Sequence, residues 1–112
     1  MFRTWALHPV TAESRFDREY FLTEHVRKTR ALLGPHGLLG LNVEEGVVLG
    51  PPGPERTYLM MACLTFESSG ALEAAMAACG RELAADFANF TGVRPLVHVN
   101  RVISGEAEGG GL

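Results

Sequence analysis

The sequence reads as one α+β domain in which an antiparallel four-stranded sheet carries two helices on one face. Three observations predict it. The first is Tyr58-Leu59-Met60-Met61-Ala62-Cys63-Leu64-Thr65-Phe66, an apolar run of strand length lying between a turn-rich segment and a helix start. The second is a pair of helical stripes, one before and one after that run, each opened by a capping residue. The third is the element order, strand, helix, strand, strand, helix, strand, which is the ferredoxin-like βαββαβ double unit. Right-handed crossovers place the first and third strands at the centre and both helices on the same side.

Phe2 to His8 is the first strand, stopped at Pro9, which has no N–H for the ladder. A polar loop runs from Val10 to Arg15. Asp17 then caps a helix predicted over residues 18–33, with Phe16 and Phe21 placed for a hydrophobic staple. Its inward stripe is Phe21, Leu22, Val26, Thr29, Leu32 and Leu33, and His25 sits within that stripe. Gly34-Pro35 is expected to end it. The second strand starts near Leu38, alternates apolar and polar residues as an edge strand does, and is expected to run past a bend over Gly46 to Leu49. Gly50-Pro51-Pro52-Gly53-Pro54 is a loop. After the third strand, Ser68 or Ser69 caps a helix with the stripe Leu72, Ala75, Met76, Cys79 and Leu83, expected to break at Gly80. Residues Arg81 to Phe90 finish as a short extra turn, and Leu96 to Ile103 forms the last strand. The domain is expected over 1–103, with a flexible tail over 104–112 that ends in three glycines.

The third strand has an unusual property: Tyr58, Met60, Ala62, Leu64 and Phe66 line one face, Leu59, Met61, Cys63 and Thr65 the other, and both are almost free of polar groups. Two helices cover one face only. A second copy of the chain is therefore expected over the other, giving a homodimer.

The composition narrows the function. A formal net charge of −3 over 112 residues offers no basic excess for phosphates. The third strand also lacks the aromatic pattern of an RNA-recognition module. Nucleic acid and membrane are not expected as partners. Arg27, Lys28 and Arg30 read as the solvated, C-terminal face of the first helix. No apolar stretch reaches membrane-span length and no secretion signal is visible, so a cytoplasmic location is expected. The two cysteines, Cys63 and Cys79, read as small buried hydrophobes.

Several phrases in order and spacing carry a resemblance: Phe16-Asp17 followed by Glu19-Tyr20-Phe21 and His25; Gly34-Pro35-His36-Gly37-Leu38; and Ala85-Asp86-Phe87-Ala88-Asn89-Phe90-Thr91. Together they resemble the EthD family, small partners of an ether-degradation pathway within the dimeric α+β barrel superfamily. The likeness spans the chain apart from its tail. It implies a homodimer with sheets packed into a barrel, in a superfamily that includes cofactor-independent monooxygenases, lactone isomerases and polyketide cyclases. The chain departs from the family pattern in three places. It has His8-Pro9 where Tyr-Pro is usual, His25-Val26-Arg27 where His-x-Pro is usual, and Ala88 where a proline precedes the asparagine.

Candidate chemistry centres on His25. An imidazole on an apolar helical stripe can act as a general base toward an acidic carbon or phenol; the alternative is a helix histidine bonded to backbone or buried water. Asp86 can orient His25 or bind a ligand hydroxyl, or else cap the turn that follows. Asn89 has the same two readings. Tyr20 and Phe90, with Trp5 and Phe66, can wall a flat organic ligand or simply fill the core. His8 and His98 lie on neighbouring strands and join His25 only if both point toward the helices, which one residue of register decides. No metal or cofactor is expected, because no two histidines stand at ligand spacing. The sequence thus predicts a small cofactor-independent enzyme or enzyme accessory acting on a hydrophobic organic metabolite between helices and sheet. The alternative is a homodimeric carrier of such a molecule.

Overall fold

A computed structural model describes residues 1–12, 15–50 and 56–105. Strand β1 is Phe2–Pro9, β2 is Gly40–Glu45, β3 is Tyr58–Phe66 and β4 is Leu96–Arg101. They pair antiparallel throughout, in the order β2-β3-β1-β4. The two inner strands are thus the two that the crossover rule puts there. Helix α1 covers residues 18–33 and α2 is Ser69–Asp86. Both pack on one face of the sheet.

The register assigns the faces. Phe2, Thr4, Ala6 and His8 of β1 stand opposite Phe66, Leu64, Ala62 and Met60 of β3, and this set faces the helices. The alternate set, Arg3, Trp5 and Leu7 opposite Thr65, Cys63 and Met61, faces away. No residue of β3 is exposed even in a single chain. Cys63 and Thr65 are buried on the face without helices, where the longer Trp5 and Arg3 stand directly across from them.

Helix α1 is a composite of an α-helical turn at Arg18–Tyr20, a π-helical segment at Phe21–His25 and an α-helix at Val26–Leu33. The Asp17 carboxylate caps its start by accepting from the Tyr20 N–H at 3.0 Å, and the Phe16 and Phe21 rings approach to 5.4 Å. In the π segment the Val26 N–H reaches back to the Phe21 carbonyl, five residues earlier. The wider turn sets Phe21 and His25 almost one above the other, with rings stacked at 5.7 Å. The buried stripe is accordingly Phe21, His25, Thr29 and Leu33 at steps of four. Leu22, expected in that stripe, lies on its flank and is exposed.

Three expected boundaries move, while the α-helical winding of α1 ends at Leu33, as Gly34-Pro35 predicts, and passes into a 3₁₀ turn over Gly34–His36 that is closed by Gly37 at φ 92°. The second strand starts at Gly40 and ends at Glu45, and residues 47–49 are exposed and outside the sheet. At Gly46 the chain runs so close to β3 that a side chain would meet the Tyr58 carbonyl oxygen. The break expected at Gly80 does not occur: α2 passes through the glycine without interruption, because its stripe of Leu72, Ala75, Cys79 and Leu83 is buried on both sides of it. Finally β4 ends at Arg101, where its pairing with β1 runs out at Phe2. Ser68 is the residue that caps α2, accepting from the Ala71 N–H at 3.1 Å. Residues 51–54 of the expected Gly/Pro loop and 106–112 of the expected tail lie outside the described residues.

Two apolar clusters fill the space between helices and sheet. One gathers Leu33, Phe66, Leu72, Ala75, Cys79 and Leu83; the other gathers Phe21, Met60 and Phe90. No helix among the described residues is long and apolar enough to cross a membrane.

Candidate functional site

Where the two clusters meet, they leave a cavity of about 190 Å³. The sheet contributes Thr4, Trp5, Ala6, Ala62, Leu64, Leu41, Val43 and Val97, α1 contributes Phe21, His25, Val26 and Thr29, and α2 with its following turn contributes Met76, Gly80, Leu83, Ala84 and Phe87. The wall is almost wholly hydrocarbon. The only titratable side chain in it is His25.

Behind the imidazole lies a buried carboxylate that organises the polar groups. Asp86, the last residue of α2, is 3 % exposed. Its Oδ2 meets His25 Nδ1 at 2.8 Å, and its Oδ1 accepts from the Tyr20 hydroxyl at 2.7 Å, Lys28 Nζ at 2.8 Å and Asn89 Nδ2 at 2.8 Å. Local structure explains this convergence. Tyr20, His25 and Lys28 lie on one side of α1, while Asn89 follows Asp86 by three residues in the 3₁₀ turn Phe87–Asn89. Burial works to raise the Asp86 carboxyl, but the hydrogen bonds from Lys28, His25, Asn89 and Tyr20 outweigh it and hold the group well below the usual carboxylate range. Asp86 is therefore an acceptor only. It follows that His25 Nδ1 carries the proton, and that a neutral ring has its lone pair on Nε2.

His25 itself is pushed below the ordinary imidazole value. Burial is the main cause and the nearby Lys28 cation adds to it, against the pull of Asp86 toward the charged form. A neutral imidazole with Nδ1 anchored and Nε2 making no hydrogen bond to a described residue is the form that can accept a proton. Lys28, expected in a solvated basic patch, keeps 42 % of its side chain exposed, and its Nζ also reaches Asp86 because it lies three residues after His25 on the same helical flank. That spacing was the available signal.

The other expected site residues divide. Tyr20 and Asn89 hold Asp86 rather than line the cavity. Phe90 is fully buried, 4.7 Å from the His25 ring, and packs behind the site; Phe87, three residues earlier, joins Trp5 and Phe21 in the wall. His8 points toward the helices and is 1 % exposed, boxed by Phe16, Phe21, Phe87 and Phe90 at 5.2 to 6.0 Å, with neither ring nitrogen hydrogen-bonded to a described residue. Burial, and secondarily His25, lower it to about 4. His98 pairs with Trp5, one residue out of phase with His8, so it lies exposed on the opposite face and does not join the cluster. Among the described residues no group of three or more His, Cys, Asp or Glu side chains is placed to hold a metal ion.

This architecture has solved counterparts. An EthD-like protein from Ralstonia eutropha superposes with a TM-score of 0.83 at 25% identity, over 96% of each chain. The fold is EthD-like. A second structure, an EthD family protein from Bacillus halodurans, matches the EthD-like chain with a TM-score of 0.68 at 22% identity over 92% of this chain and 99% of that one. A protein of unknown function from Thermobifida fusca, described as dimeric and ferredoxin-like, matches with a TM-score of 0.51 at 13% identity over 90% of each. No protein-family profile and no curated protein sequence matches the EthD-like chain.

Proposed function

We propose that the protein is a small cofactor-independent enzyme, or the accessory of one, in which His25 takes a proton from an apolar organic molecule held between helices and sheet. One observation supports this above others: a buried His–Asp pair, with His25 Nδ1 2.8 Å from Asp86, stands at the edge of a cavity of about 190 Å³ whose remaining wall is almost entirely apolar. In this reading Asp86 orients the ring and keeps the proton on Nδ1, so that Nε2 is the base. Tyr20 and Asn89 position Asp86. The apolar wall suits an uncharged carbon or phenol acid, and the Asp86 carboxylate stabilises the imidazolium that proton transfer leaves on His25.

The working form is proposed to be a homodimer in the cytoplasm. Leu96, Val97 and Val99 of the edge strand β4 are all more than half exposed, an apolar edge that a second copy would cover. The dimeric description of the Thermobifida relative supports the same assembly. Buried, unpaired Cys63 and Cys79 suit a reducing compartment.

The test is deuterium exchange at the α-carbon of 2-tetralone, a neutral ketone with an acidic C–H, followed by proton NMR. The native protein is expected to accelerate exchange over buffer, His25→Gln to abolish the acceleration, and Asp86→Asn to reduce it at least tenfold. Acceleration that survives His25→Gln refutes the assignment. Binding of 2-tetralone with no acceleration would support the carrier reading instead, which rests on the same apolar wall.

A further inference from the structure

We infer that Gly80, with Ala6, Ala62 and Ala84, holds the cavity open for an uncharged, flat compound of one or two fused rings, and that Gly80 sets the upper size limit. This rests on the proposal that the cavity is the working site. Ala6 and Ala62 stand directly opposite each other on the two central strands, at the place where a sheet core normally carries its largest side chains. Gly80 and Ala84 are one helical turn apart on α2 and line the same space. Any of the four enlarged would fill the void.

Gly80 is the most informative of them. Glycine is among the least favourable residues in a helix interior, because it loses the most backbone freedom on folding. Packing does not demand it here. A Cβ built at residue 80 would meet only the Met76 Cβ at 3.9 Å, an ordinary contact, and the backbone there is not left-handed. The side chain is absent where there is room for one, and what its absence preserves is the cavity.

Polar groups on the wall define the ligand's chemistry. Besides His25, the helix-facing wall holds two hydroxyls, Thr4 and Thr29. The Thr29 hydroxyl donates to the His25 carbonyl at 2.8 Å. Thr4, 8 % exposed, makes no side-chain hydrogen bond to a described residue. One free hydroxyl and one imidazole edge suit a ligand with a single oxygen. Among the described residues the wall carries no Lys or Arg to pair a carboxylate or phosphate, and the nearby Lys28 is engaged by Asp86. A dry apolar cavity of about 150 Å³ takes benzene, so about 190 Å³ suits a slightly larger ring system.

Isothermal titration calorimetry on the full chain tests this with 2-naphthol, 2-naphthoate and pyren-1-ol as probes. The native protein is expected to bind 2-naphthol and neither of the others. Gly80→Leu should weaken 2-naphthol at least tenfold, and Gly80→Ala about threefold while melting at a higher temperature than the native chain. Equal affinity for 2-naphthoate, or binding of pyren-1-ol, overturns the inference. Folded Gly80→Leu or Gly80→Ala protein that binds 2-naphthol like the native chain overturns it too, leaving the site proposal standing. Absence of any 2-naphthol binding by the native protein overturns this inference and counts against the cavity as the working site.

Discussion

Acidification should destabilise the protein through His8. Its imidazole is 1 % exposed, surrounded by four phenylalanine rings, and neither nitrogen hydrogen-bonds to a described residue, so the folded state holds it neutral with a value lowered from 6.5 to about 4. The unfolded chain takes up that proton first as pH falls. The titration of His8 therefore adds no cost to the folded state above pH 6.5 and withdraws stability progressively between 6.5 and about 4. The slope in that window is about 1.4 kcal/mol per pH unit, which gives about 2 kcal/mol between pH 7 and pH 5. Net stabilities are typically about 5–15 kcal/mol, so the loss is measurable. Urea unfolding of the native chain and of His8→Leu, each at pH 7 and pH 5, isolates the contribution of this one group, because the other titrating groups are common to both. His8→Leu should lose about 2 kcal/mol less on acidification. It should also gain stability at pH 7, since two buried nitrogens without partners are removed. Parallel pH dependences in the two proteins would show that His8 finds a proton partner in solution, and the reasoning would fail.

Two further perturbations probe the site and the scaffold. Lys28→Met removes the cation that shares Asp86 with His25, so the His25 titration midpoint, followed by imidazole proton NMR, should move to higher pH, and Lys28→Arg should restore it; an unchanged midpoint would remove Lys28 from the electrostatics of the site. Ser68→Ala removes the cap that accepts from the Ala71 N–H at the start of α2 and should cost about 1 kcal/mol, or roughly 5 °C in thermal melts; no change would mean that water caps the helix as well.

Much of the fold is legible because it depends on period and punctuation. The apolar run of β3, the alternation in β2, the caps Asp17 and Ser68, and the stripe from Leu72 to Leu83 are local patterns whose physical causes lie within a few residues. Where local signals misled, a tertiary contact outweighed them. Gly80 reads as a break but stays helical because the residues on both sides of it are buried against the core. Lys28 reads as a solvated cation and stays partly exposed, yet Asp86, 58 residues away in sequence, takes its hydrogen bond. The π segment left no mark in the sequence pattern, since it differs from an α-helix only in which carbonyl each N–H reaches.

Taken alone, the order of amino acids determined the element sequence, the pairing of the central strands and the candidacy of His25 and Asp86, because hydrophobic period, capping and crossover handedness act along the chain. Only the folded arrangement decided that those two side chains touch, that Tyr20, Lys28 and Asn89 converge on the same carboxylate, that His8 and His98 face opposite ways, and that small residues on three separate elements leave a cavity between them. Each of these depends on distances between segments far apart in the chain, and strand register and helix packing set those distances.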